Sequence, residues 1–223
     1  MSFAGAGREE LNAAVHRLDR QLQGHGFPGY VEAVPGMASL LVYYDAGVAT
    51  FPQVVRHLQT LRALPSASAG VWGRLWTIPV WYGGEAGPDL PTVALACGLD
   101  EKTVISLHCG SIYTVYFLGF MAGFPYMGPL PAAIDLPRRA TPRLRVPAGS
   151  VAIAAGQSGI YPFTAPGGWH LIGRTPARIW DPGRTPPALL GPGDRVRFRP
   201  VGEEEFLSLA SRADGGVTAE AVP

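Results

Sequence analysis

Between Tyr113 and Val201 one local pattern recurs: a short run of β-branched and aromatic residues, closed off by proline or glycine. The runs are YTVYFLGF (Tyr113–Phe120), SVAIAAG (150–156), GIYPF (159–163), GWHLIG (168–173), ARIW (177–180) and DRVRFRPV (194–201). Proline within a run breaks a helix, because it removes an amide donor and clashes with the preceding turn. With 22 prolines and 29 glycines in 223 residues, the chain favours short strands joined by tight turns. Six strand-length runs in succession predict a closed or nearly closed β-barrel.

Upstream the period changes. Leu11, Val15, Leu18 and Leu22 recur at steps of four, three and four, which predicts an amphipathic helix over Arg8–Leu22. Tyr30–Val34 and Ser39–Tyr44 read as strands, and Thr50 can cap a second helix that buries Val54, Leu58 and Leu61. This makes a small α/β unit, residues 1–73, with the segment Pro65–Gly73 read as its linker. The barrel unit is expected over 74–202. It opens on the strand LWTIPVWY (Leu75–Tyr82), then a short helix ending at Gly98 and another capped by Asp100. A terminal helix, Glu203–Ala210, and a loose tail over Asp214–Pro223 complete residues 203–223. The fold class is α+β.

A formal net charge of +1 gives no general attraction to nucleic acid or membrane, and neither is expected as a partner. The charge is unevenly spread: positions 136–199 hold ten arginines against two acids, Asp181 and Asp194. Guanidinium forks bind carboxylates and phosphates, so this segment favours an anionic ligand or an acidic partner. A solvated arginine-rich barrel surface is the other reading. The two cysteines, Cys97 and Cys109, form no redox or metal pair, and no window is apolar enough to span a membrane. The start of the chain lacks an apolar signal core, so a reduced cytoplasmic location is expected.

Several chemistries lack their motifs. Gly156-Gln157-Ser158-Gly159-Ile160 misses the last glycine of a nucleophile elbow, so Ser158 reads as a turn serine. His108 and Cys109 are adjacent and diverge, and His170 has no second ligand at useful spacing, so no metal is expected. Nothing matches a phosphate-binding loop, and Lys102, the one lysine, follows Glu101 in a helix. His108 ends a helix before a Gly-Ser turn. There it can titrate near neutrality and face a cleft, or merely cap the helix. The glycine-aromatic loop Gly119–Gly128 and the turn Pro166-Gly167-Gly168-Trp169 are suited to shaping a pocket or to a tight barrel crossover.

Long stretches of the sequence resemble one family. They are IPVWYGGEAGPDL (Ile78–Leu90), His108, YTVYFLGF, GFPYMGPL (Gly123–Leu130), PRRATPRLRVPAGSVAIA (Pro137–Ala154), GIYPF, PGGWHLIGRTP (Pro166–Pro176) and PGDRVRF (Pro192–Phe198), in that order. The family comprises the B subunit of bacterial 5-oxoprolinase, allophanate-hydrolase subunit 1 and the Kip-type kinase inhibitor. VEAVPGMASLLVYYD (Val31–Asp45) extends the resemblance into the first unit. The resemblance implies a small ferredoxin-like α/β domain followed by a cyclophilin-like β-barrel. Met1–Gly7 does not match the family's first strand, so the small sheet is expected to be one strand short. Met121-Ala122 also stands where the family commonly has a proline.

In function, the resemblance implies a non-autonomous subunit of an ATP-dependent amidohydrolase complex that opens 5-oxoproline, or a related lactam or amide, to glutamate. ATP would be bound by the complex. Its partners would be a barrel-fold C-type subunit sharing the site and a lactam-opening A-type subunit. In this reading His108, Arg139 and Arg143 are the catalytic candidates. Tyr113, Phe124, Tyr126, Arg138, Arg145 and Trp169 are the substrate-binding ones. Two alternatives stay open: a regulator that inhibits a sensor histidine kinase, and the carboxyltransferase half of a biotin-dependent urea or amide carboxylase.

Overall fold

A computed structural model describes residues 1, 7–64 and 73–221, in two compact units, Met1–Trp72 and Gly73–Pro223. The expected linker therefore lies almost wholly outside the described residues. In the first unit, helices α1 (Arg8–Gly24) and α2 (Phe51–Ala63) pack on one face of a hairpin, β1 (Tyr30–Pro35) and β2 (Leu40–Tyr44). Val15, Leu18 and Leu22 of α1 meet Leu40, Val54, Leu58 and Leu61 in its core, as the periodicity predicts. Thr50 begins α2 in a capping box with Gln53. The strand question at Met1–Gly7 falls mainly on residues 2–6, outside the described set. Met1 itself exchanges both backbone bonds with Leu40.

The second unit is a closed barrel. Its strands are β3 (Arg74–Tyr82), β4 (Ile112–Leu118), β5 (Pro125–Gly128), β7 (Ser150–Ala154), β8 (Gln157–Ile160), β10 (His170–Arg174) and β11 (Arg195–Val201). The order is β10-β7-β8-β5-β4-β11-β3, and β10 pairs again with β3 at Tyr82 and Trp81 to close the ring. The β3–β11 pair is parallel and every other neighbouring pair antiparallel. Strand β11 shows the pleat plainly, with Val196 and Phe198 buried inside while Arg195 and Arg197 are exposed. Helices α3 (Leu90–Cys97) and α4 (Glu101–Cys109) add Leu90, Val93, Ala94 and Val104 to the same core. Gly98 ends α3 in the left-handed conformation, and Asp100 caps α4 by accepting the Thr103 amide at 2.6 Å.

Four local expectations need correction. The glycine-aromatic loop is a β-hairpin, since PYMG forms β5 against β4. The arginine segment contains a strand, β6 (Arg143–Val146), which pairs with β9 (Ala165–Gly167) as a separate two-stranded ribbon. ARIW is no strand, contributing only a bridge between Trp180 and Ala188. The tail is not loose: after helix α5 (Glu203–Ala210), β12 (Thr218–Ala221) pairs with residues 74–77 of β3. Strand β10 covers only the far end of β3, which leaves the near edge open for the tail.

Candidate functional site

The candidate site lies on the outer face of the barrel wall. Strand β7 is buried on both sides: Val151 and Ile153 join the barrel core, whereas Ala152 and Ala154 join a second cluster with Phe124, Val146, Tyr161, Trp169 and Leu171. Small side chains on that face leave room for large rings. Gly159 serves the same end, since a Cβ there would stand 2.7 Å from the Phe124 ring. Phe124 packs edge-to-face with Tyr126, Tyr161 and Trp169 at centroid distances of 4.9, 5.1 and 5.6 Å. Tyr126 is half-buried and stacks on Phe117 at 4.4 Å. Burial raises the hydroxyl pKa values of Tyr126 and Tyr161, so both stay protonated donors near neutral pH.

The arginines border this cluster. Arg138 is exposed, with its guanidinium 5.9 Å from the centre of the Trp169 ring. Arg145 is also exposed, on β6. Arg139 and Arg143 behave differently. Both bind Asp89, a buried carboxylate that lies in the family-like stretch Ile78–Leu90 but is not among the expected site residues. Arg143 donates through both terminal nitrogens at 2.7 Å, Arg139 donates at 3.0 Å, and the Leu171 amide donates at 2.8 Å. Burial pushes the Asp89 carboxyl up, but the bonds from Arg143 and Leu171 outweigh it and hold it below the usual carboxylate range. The cluster of two guanidinium groups and one carboxylate thus keeps one positive charge. The Arg139 Nε is buried with no bonding partner in the described structure.

His108 and Tyr113 lie elsewhere, inside the barrel. His108 is fully buried, stacked on Phe198 at 4.5 Å. Its Nδ1 meets the Tyr82 hydroxyl at 2.7 Å and its Nε2 meets Ser158 Oγ at 3.0 Å. The Tyr113 hydroxyl donates to the His108 carbonyl at 3.0 Å. Burial lowers the His108 pKa to about 3, so the ring is neutral. The expectation that it titrates near neutrality at a cleft is therefore overturned: α4 turns the His108 ring into the barrel core while its neighbours Ser106, Leu107 and Cys109 stay partly or fully exposed. Ser158 is likewise a buried strand residue of β8 and not a turn serine. The structure brings Phe124, Tyr126, Trp169, Arg138, Arg139 and Arg143 together, sets Arg145 on the adjoining ribbon, and separates His108 and Tyr113 from them. Among the described residues no three His, Cys, Asp or Glu side chains group to hold a metal, and no helix is long and apolar enough to cross a membrane.

Sequence relatives agree with the barrel. Residues 1–190 match the family model for the carboxyltransferase domain, subdomain C and D. The 5-oxoprolinase B subunit of Bacillus subtilis (strain 168) is 40% identical over 208 residues, covering 89% of this chain and 87% of that protein. Its counterpart from Escherichia coli O157:H7 is 48% identical over 180 residues, covering 79% and 80%. The chain belongs to the family of 5-oxoprolinase B subunits. Among solved structures it resembles TTHA0988, with a TM-score of 0.79 at 40% identity over 90% of this chain. That alignment spans only 39% of the longer TTHA0988 chain. The urea amidolyase of Kluyveromyces lactis shares the fold, with a TM-score of 0.77 at 20% identity over 98% of this chain and 15% of that one.

Proposed function

We propose that this chain is the B-type component of a cytoplasmic, ATP-dependent complex that opens 5-oxoproline to glutamate, and that it is inert alone. The observation carrying this reading is the 40–48% identity, across most of both chains, to proteins named as the B subunit of 5-oxoprolinase. A barrel-fold C-type subunit would complete the site, with an A-type subunit joining to open the lactam.

A lactam carbonyl is a poor electrophile. Transfer of the γ-phosphoryl group of ATP to its oxygen, releasing ADP, activates the carbon; one water then adds and the ring C–N bond breaks to leave an acyl phosphate, which a second water hydrolyses to glutamate and phosphate. ATP is a co-substrate here, and this chain carries no phosphate-loop motif, so the nucleotide would be held chiefly by the other subunits. The part of this chain would be binding and electrostatics. Phe124 and Trp169 are buried and back this surface without facing solvent, so the half-buried Tyr126 offers the hydroxyl, and Arg138 and Arg145 bring positive charge to oxygens that gain negative charge in the transition state. His108 supports the barrel beneath this surface and moves no proton. Deleting the gene in its own host should make 5-oxoproline accumulate when it is the sole nitrogen source. Unchanged consumption would reject the reading.

A second reading rests on the family model, which describes a carboxyltransferase domain, and on the fold shared with urea amidolyase. In it the chain would serve a biotin-dependent carboxylase. Co-purification of a biotinylated protein with the tagged chain would favour this alternative.

A further inference from the structure

We infer that Asp89 is a positioning residue that holds Arg139 and Arg143 as a clamp for the carboxylate of the substrate. The inference rests on the 5-oxoprolinase reading above and names the part of the ligand that this corner would recognise.

The geometry carries it. Asp89 directly precedes α3 and its side chain caps no helix amide. It reaches instead to β6, to the segment before it, and to the Leu171 amide on β10, so one carboxylate ties three parts of the wall together. It uses both terminal nitrogens of Arg143 but only one of Arg139. Both side chains remain partly open, with exposures of 30% for Arg139 and 26% for Arg143. The Arg139 Nε–H is an unmatched donor beside them. That nitrogen is itself buried, so an arriving carboxylate would meet the terminal nitrogen of Arg139 that Asp89 leaves unused, a charge-assisted donor. The cluster's single net positive charge also matches one carboxylate better than a phosphate dianion. Two arginines fixed through a shared carboxylate lose little freedom on binding, which is the advantage of a clamp built in advance.

The test compares 5-oxoproline with its carboxamide, which keeps the lactam but lacks the charge. The complex is purified through a tag on this chain from a host without its own copy, as wild type, Asp89→Asn, Arg139→Gln and Arg143→Gln. The wild type should favour the acid over the amide by about 30-fold in KM, the scale of one charge-assisted hydrogen-bonded pair. In Asp89→Asn and Arg143→Gln the preference should shrink to within about threefold, with the loss in KM and little change in kcat or in KM for ATP. The same contrast should appear without turnover, as a larger rise in melting temperature with the acid than with the amide, abolished in the variants. If Asp89→Asn fails to fold, Arg139→Gln carries the test, since it leaves both Arg143 bonds to Asp89 in place. Turnover with no preference for the acid would overturn the clamp and spare the 5-oxoprolinase reading. Acid-dependent stabilisation without turnover would do the reverse. Full preference in Asp89→Asn, with loss in Arg143→Gln, would overturn the role of Asp89.

Discussion

His108 shows how burial redirects a residue that chemistry alone would favour. Both ring nitrogens are bonded, to Tyr82 and Ser158, and burial holds the pKa near 3 against an ordinary 6.5. Because the folded pKa is depressed, the ring is neutral in both states above pH 6.5 and adds no pH dependence there. Between about 6.5 and about 3 the unfolded chain takes up a proton that the folded chain does not, so stability falls with acid, by about 1.4 kcal/mol per pH unit. Urea unfolding at pH 7.5 and pH 5 should therefore show a smaller acid loss in His108→Gln than in wild type; equal losses would mean that the ring titrates normally. His108→Leu strands the Ser158 hydroxyl and leaves the Tyr82 hydroxyl only the weak Cys109 thiol, and should cost about 2–4 kcal/mol. The arginines differ from expectation in the same way. A purely catalytic Arg143 would lose turnover alone on change to Ala, yet the substitution also leaves Asp89 short of its main partner, so a stability loss of about 3 kcal/mol accompanies it.

At the scale of elements, the turn joining β4 to β5 places Phe120 at a φ of 66°, with the residue 63% exposed. A non-glycine residue in that region is strained by about 1–3 kcal/mol, and little packing would be lost with the ring. Phe120→Gly should thus keep or raise the melting temperature of the isolated chain; a clear fall would show that its contact with Phe124 outweighs the strain. The tail strand makes a second prediction: removing residues 214–223 should speed amide exchange in the first half of β3, with the far half held by β10 unaffected. These elements also mark where the sequence was readable. The long apolar runs that became β3, β4, β7 and β11 carry their own periodicity, and Thr50, Gly98 and Asp100 their own cap chemistry. PYMG, RLRV and APG are too short to signal a strand, and β12 exists because β3 offers it an edge. Asp89 lies in the stretch Ile78–Leu90 that carries the family resemblance, but its role could not be read there: its partners lie 50 and 54 residues along the chain, and only barrel closure brings them together.

For the whole molecule, one barrel wall serves two ends. Its inner face builds a core around a neutral histidine, and its outer face carries rings, a clamped arginine pair and two exposed arginines. That arrangement offers binding groups and positive charge, the contribution proposed for this chain within the complex. The direct test is ATP-dependent release of glutamate from 5-oxoproline, measured on the complex purified through this chain and on the chain alone. Glutamate and phosphate should appear together with the complex and not with the isolated chain. Turnover by the chain alone, or a complex that leaves 5-oxoproline intact, would contradict the account.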